Sequence, residues 1–404
     1  MDSHAATKKL ETLRMLMAGH TDTSEERRIL SLLRDASAAD LNFLLANIDL
    51  EALLGDLDDG IFGPDHHSQL LDMLCRERAT QLALPLRASL VTALQRGATP
   101  ALAERCIRDL FVSLRGRELT TFKNLLDAGN NHQDLEKLLF DDVDDPAIRE
   151  DILTHIRREA ETAPSGENKV LSDIDDTFYA NLKDSRYPSK TVYPGVLAFY
   201  AELDRGPGLI PGREGDLTFV TARPMDPLGA VENLTFDSLR KHGVPPHVVL
   251  SGSLTHLLGN SRIAAKKFDN FQRYARIFPE YGFVFVGDSG QGDVEFGDKM
   301  LSAAPHSVHA VFIHDVVETP EATRRTWRDK RIYFFDTYVG AALEAFALGL
   351  ISRDGLARVA IAARESMEGI AFTSAAQRDA RKAELTRDLQ RADAVTSPSP
   401  AAAH

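Results

Sequence analysis

Lys169-Val170-Leu171-Ser172-Asp173-Ile174-Asp175-Asp176-Thr177 decides how this chain is read. An apolar run of strand character ends abruptly on two aspartates one residue apart, with a threonine two further on. Residues i and i+2 of an extended segment share a side, so Asp173 and Asp175 project together from the carboxyl end of a strand. Open α/β sheets place their ligands at that edge. Two carboxylates held so close require a cation, a shared proton or a cationic substrate. A divalent metal with a phosphate meets the requirement most economically, because hard oxygen ligands suit Mg²⁺.

The rest of the pattern arrives in order. Leu217-Thr218-Phe219-Val220 is a second strand-like run, ending at Thr221-Ala222-Arg223-Pro224. Lys266 and Lys267 open a helical stretch from Ala264 to Phe278. Phe283 to Gly287 reads as a third buried strand, ending at Asp288-Ser289-Gly290-Gln291-Gly292-Asp293. A DxD by itself is usually a turn or a solvated loop. Four such elements in this order, each at a strand end or helix start, specify an α/β domain. Its expected form is a Rossmann-like parallel sheet with helices on both faces.

With these motifs the chain resembles the haloacid dehalogenase-like phosphohydrolases, and within them the catalytic domain of the actin-patch phosphatidate phosphatase family. The likeness rests on Leu171 to Thr177, on Phe278-Pro279 followed by Phe283 to Asp293, and on Phe335-Asp336-Thr337 ahead of an Ala-rich helix. It implies a Mg²⁺-dependent phosphatase working through an aspartyl-phosphate. Asp173 would be the nucleophile, and Asp175 the general acid and then the base. Thr177 would fix the turn beside the substrate. Thr221 and Lys267 would hold the phosphoryl oxygens, and Asp173, the Asp175 carbonyl, Asp288 and Asp293 would surround the metal. Lys267 is preferred over Lys266 by its spacing before Pro279, with Lys266 as the alternative phosphate ligand.

Several positions have plainer readings. Asp176 serves a turn by hydrogen bonding. Asp293 either ligates or caps a helix beginning near Val294. Arg223 touches substrate or forms a surface salt bridge.

The chain has 404 residues, is 43% hydrophobic and carries a net charge of −13. That length suggests two or three domains, and that charge argues against nucleic acid as a partner. Cys75 and Cys106 lack metal-ligand spacing and suit a reducing compartment. Neither a secretory h-region nor a run of ~18 apolar residues is present, so a cytoplasmic location is expected, with peripheral membrane contact as an option.

Residues 1–165 read as an all-α domain with an unknown protein partner. Thr23-Ser24-Glu25-Glu26 signals a helix start ahead of Ile29, Leu30, Leu32 and Leu33, and Asp40 opens a segment with Leu41, Leu44, Leu45 and Ile48 on one face. A weak internal repeat pairs Asp49 to Leu54 with Asp134 to Leu139, Glu26 with Glu104, and Leu41 with Leu119. Pro164-Ser165-Gly166 marks the passage to the catalytic domain, expected over 166–385, with a disordered tail over 386–404.

The spans around Thr221 hold a loop from Phe178 to Val192, a helix from Pro194-Gly195, a helix near Leu228 to Lys241 and a strand at His247 to Leu250. They leave room for a small cap or none. An open site favours a large or interfacial phosphomonoester, and the family resemblance turns this toward phosphatidate, giving diacylglycerol and phosphate. The alternatives are a phosphoprotein or soluble phosphomonoester as substrate, or a helical interaction module with the phosphatase as its regulated output. Two basic stretches are candidate contacts with an anionic membrane: Lys183, Arg186 and Lys190, and the arginines and lysine around Trp327.

Overall fold

The computed structural model describes residues 3–19, 21–57, 65–95, 100–127, 135–208, 217–224, 241, 248–252 and 260–397. The chain divides into two compact units, Met1–Pro164 with Arg276–Phe278, and Ser165–Ala275 with Pro279–His404.

The second unit is built on a six-stranded sheet. Its strands are β1 (Asn168–Ser172), β2 (Leu217–Pro224), β3 (Val248–Gly252), β4 (Gly282–Asp288), β5 (Val308–His314) and β6 (Ile332–Phe335). They lie in the order β3-β2-β1-β4-β5-β6, and every pairing is parallel. Parallel strands need crossover helices and so become buried on both faces. On one face Val170, Phe219, Val284 and Phe312 pack with Phe199 and Tyr200 of the helix Val196–Arg205 and with Tyr338 of the helix Tyr338–Ala347. On the other, Phe271 of the helix Asn260–Ile277 meets Phe283, and Phe296 of the helix Asp293–Ala303 meets Phe285 edge-on.

The order reverses between β1 and β4, the switch point at which doubly wound sheets open a crevice beyond their carboxyl ends. The loop after β1 makes no separate cap domain. It folds back on itself, with Tyr179 bridging to Asp175 and to Val192, and with Lys190 N donating to Ala180 O. The helix expected near Leu228 to Lys241 lies outside the described residues except for Lys241, which is helical, and His247 also lies outside them.

Order at the carboxyl end extends beyond the sequence expectation. A helix covers Ala375–Thr396, where a disordered tail from 386 was expected. Leu385, Leu389 and Ala392 are buried in the core of the second unit, so this charged helix has an apolar stripe too sparse to register as a core element in the sequence. Residues 398–404 lie outside the described residues.

Among the described residues, the secondary-structure elements of the first unit are all helices. The helix Thr23–Arg34 is capped by Asp22, one residue before the sequence signal, in a capping box with Glu25. The helix Ala38–Ala46 starts from Ser37 and buries Leu41, Leu44 and Leu45. Glu26 and Glu104, paired in the weak repeat, occupy similar settings. Both are buried in the first turn of a helix and reach the start of a later one. Glu26 bonds His66 Nδ1 at 2.6 Å, and Glu104 accepts from Asp144 N and Asp145 N at 2.8 and 3.2 Å. Cys75 and Cys106 are free and buried. Among the described residues, no helix is long and apolar enough to cross a membrane.

Candidate active site

β1 and β4 run side by side with Ser172 opposite Val286, so Asp173 and Asp288 leave neighbouring strands at one edge of the sheet. Asp173 N continues the ladder by donating to Val286 O at 2.9 Å. Lys267, on the helix Asn260–Ile277, reaches this edge from the face opposite the Tyr200 side. Its Nζ donates to Asp173 Oδ1 and Asp293 Oδ1, each at 2.6 Å. Asp293 opens the helix Asp293–Ala303 without capping it, because its carboxylate turns back to accept Asp288 N at 3.1 Å. Gly287 makes that turn possible: a Cβ there would come within 2.6 Å of Asp293 Oδ2.

Asp173, Asp288 and Asp293 each bring a carboxylate oxygen within 4.8 Å of the others. All three are buried, as is Lys267 at 2% exposure. Burial pushes the Asp173 carboxyl up to about 7, with the Lys267 charge opposing and Asp293 reinforcing the rise. Asp288 is raised well above the usual carboxylate range by burial, then by Asp293 and Asp173. Burial also works against charge on Lys267, but Asp173 and Asp293 outweigh it and raise its pKa, so it stays protonated. One lysine cannot balance three carboxylates. Asp173 Oδ2 is buried without a hydrogen-bond partner. An unsatisfied buried oxygen inside an all-oxygen donor set fits a hard divalent cation.

The structure therefore brings together Asp173, Lys267, Asp288 and Asp293. Asp175 is half-buried, its carboxylate outside the three-carboxylate cluster, with Oδ1 accepting from Asn181 Nδ2 at 2.7 Å. Thr177 is fully buried; its Oγ1 has no hydrogen-bond partner and its carbonyl accepts from Tyr338 OH. Lys266 is half-buried, next to the lysine that enters the cluster. Thr221 and Arg223 belong to β2, but their side chains lie outside the described residues.

Four residues shape the site without having been singled out for it in the sequence. Asn181 holds Asp175, and Gln291 Nε2 approaches Asp288 Oδ2 at 3.4 Å. His314 bonds the Asp176 carbonyl through Nδ1 at 2.9 Å, and Tyr338 bonds the Thr177 carbonyl. Only Gln291 carried a signal, since it lies inside the Asp288–Asp293 motif. The other three act through backbone carbonyls or an amide, and no sequence spacing encodes that.

Residues 168–315 match the model of the phosphatidate phosphatase APP1 catalytic domain. No curated protein and no solved structure matches the chain. The matched stretch holds the whole acid–lysine cluster and is a phosphatidate phosphatase-like catalytic domain. The chain is an enzyme of the phosphoric monoester hydrolase class.

Proposed function

Taking that catalytic domain as premise, we propose that the chain is a Mg²⁺-dependent phosphatidate phosphatase of the haloacid dehalogenase-like kind, releasing diacylglycerol and phosphate from the cytoplasmic side of a membrane. The observation carrying this is the buried cluster of Asp173, Asp288 and Asp293 around Lys267, inside the matched residues.

Asp173 attacks phosphorus through a carboxylate oxygen, and the bond from phosphorus to the glycerol oxygen breaks. Asp175 gives its proton to that leaving oxygen. Water then attacks the aspartyl-phosphate on Asp173, with Asp175 taking its proton, and the acyl-phosphate bond breaks to return the carboxylate and inorganic phosphate. Asp175 is suited to both turns because it stays half-exposed and is oriented by Asn181. Lys267 and Thr221 hold phosphoryl oxygens, and Lys267 also keeps Asp173 aligned. Asp173, Asp288, Asp293 and the Asp175 carbonyl would hold Mg²⁺, which when bound supplies the positive charge that lets an anion approach these carboxylates.

The test is phosphate release from phosphatidate by wild type and Asp173→Asn, with and without EDTA. The variant should lose about a thousandfold or more in kcat, as enzymes do when the nucleophile is removed, while its melting curve persists. Chelation should silence wild type and Mg²⁺ should restore it. Wild-type rates in Asp173→Asn, freed of contaminating phosphatase, would sink the mechanism. Faster release from phosphopeptides or sugar phosphates than from phosphatidate would move the substrate away from lipid.

A further inference from the structure

Beyond the acid cluster, the loops after β1, β4 and β5 all leave the same edge of the parallel sheet, with β4 lying between the other two. Each contributes to a common rim. Asp176, fully buried, accepts from Asn181 N, Leu182 N, Lys183 N and Asp184 N, which fixes the first loop as a tight arch. The arch leans on the second loop. A Cβ on Gly290 would meet Lys183 Cγ at 3.0 Å and Asp288 Oδ1 at 3.1 Å, so the Lys183 stem lies over the glycine next to the acid cluster. The third loop is fastened to the second by Ser289. Its Oγ donates to Asp315 Oδ1 at 2.8 Å and accepts from Val316 N at 2.9 Å.

The side chains these bonds hold outward are apolar and cationic. Leu182 is 60% exposed and Val317 is 52% exposed. Lys183 and Lys190 are exposed on the first loop, and Lys190 sits over the Tyr179 ring at 4.3 Å. Arg186 takes no part. It is paired with buried Asp184 at 2.9 Å and is an internal residue, so only two of the three basic residues expected to face a membrane remain. An apolar residue is normally left exposed singly and without meaning. Here two stand on hydrogen-bonded loops either side of the loop after β4, one of them with Lys183 next to it in the chain. Apolar side chains backed by lysines suit a bilayer surface carrying anionic headgroups.

We infer that Leu182 and Val317 are wedges that enter the acyl boundary of a bilayer while Lys183 and Lys190 meet its anionic headgroups, seating the catalytic edge on the membrane. This rests on the lipid phosphatase reading for its occupant, and it adds the surface by which that substrate is reached. Glu318, exposed beside Val317, sets the limit of the cationic patch on that side.

The experiment compares wild type, Leu182→Ser with Val317→Ser, and Lys183→Ser with Lys190→Ser. Binding is measured by co-sedimentation with phosphatidylcholine vesicles containing a minor fraction of phosphatidate, with Mg²⁺ withheld. Turnover is measured on the same vesicles and on a water-soluble aryl phosphate. The apolar double variant should bind at least tenfold more weakly at low and high salt alike. Its vesicle turnover should fall in proportion, with aryl phosphate turnover unchanged. The lysine double variant should lose binding at low salt and match wild type at high salt.

Unchanged vesicle binding in the apolar variant overturns the wedge assignment, whatever the enzyme's substrate proves to be. Equal losses on aryl phosphate and vesicles also overturn it, since the residues would then serve the site itself. A change of oligomeric state in the apolar variant, seen by light scattering without lipid, would give the rim to a second copy of the chain instead. Wild type that binds vesicles through these residues yet releases no phosphate from phosphatidate would leave the rim standing and defeat the substrate reading.

Discussion

With Asp173 and Asp293 bonded to it and Asp288 close by, Lys267 holds its charge against the cost of burial. Removing one partner of a buried ion pair strands the other and typically costs about 3–5 kcal/mol. We expect Lys267→Met to lose stability on that scale in urea titrations without Mg²⁺, and to lose phosphate release as well; a variant as stable as wild type would show that the carboxylates do not depend on this lysine. His314 supplies the pH dependence. Burial, then the Arg186 charge, depresses its pKa from 6.5 to about 4. The folded chain therefore binds this proton less readily than the unfolded chain. The stability from neutral His314 is complete above pH 6.5 and is lost as pH falls toward 4. The loss is on the order of 3 kcal/mol. His314→Gln should flatten the decline of the urea midpoint between those pH values, and an unchanged slope would assign acid sensitivity elsewhere. At this scale the sequence was informative for residues that end strands. Asp173 and Asp288 stop apolar runs, and Lys267 precedes a recognisable motif. His314 carries no such mark, because its partner is the Asp176 carbonyl.

Among elements, the loop after β1 is the most tightly determined. Asp176 has φ of 60°, a left-handed conformation that asparagine and aspartate tolerate better than other side chains. Its carboxylate is satisfied by four backbone N–H groups. Asp176→Ala loses those bonds and keeps the unfavourable φ; at about 0.5–1.5 kcal/mol for each bond, and more where the acceptor is charged, the cost should reach roughly 3 kcal/mol. Asp176→Gly loses the same bonds but relieves φ, and should melt higher than Asp176→Ala by an amount worth about 1 kcal/mol. Both should impair phosphate release by loosening Asp175 and Thr177. Equal melting temperatures would show that the backbone carries no strain there. The sequence reading of Asp176 as a hydrogen-bonding turn residue named its chemistry but not its reach across the arch. β5 was not singled out, and of β6 only its end, at Phe335-Asp336-Thr337, was. Val308–His314 carries two histidines, an exposed one bonded to Asn168 and a buried one bonded to the Asp176 carbonyl, which break its apolar run in the sequence. The basic stretch around Trp327 belongs to structure more than to a membrane. Arg324 pairs with Asp315 and Asp336, Arg328 with Glu344, and Lys330 with Asp298 and the Trp327 ring.

At the scale of the whole molecule, the passage from helices to sheet at Pro164-Ser165-Gly166 has a local cause. Ser165 donates through both N and Oγ to Glu280 O at 2.9 Å, so it is bonded into the second unit, and Gly166 takes φ of 72° ahead of β1. Among the described residues, every strand and the acid–lysine cluster lie after that point. A fragment covering 165–397 should therefore fold alone and hydrolyse a water-soluble aryl phosphate. The far boundary separates two expectations, because the sequence suggested an ending at 385 and the helix Ala375–Thr396 continues past it. Ending at 385 removes Leu389 and Ala392 from the core and Asp388 from its bonds with Thr337 and Arg387. A buried leucine contributes about 1.5–3 kcal/mol, and Thr337 caps the Tyr338 helix whose hydroxyl holds the Thr177 carbonyl. The shorter fragment should unfold at lower urea and lose aryl phosphate turnover along with that support, while the longer one retains both. If 165–385 equals 165–397 in stability and rate, the last helix is an accessory to the fold. If 165–397 is folded but inert where the full chain turns over aryl phosphate, the helical unit contributes to the chemistry itself.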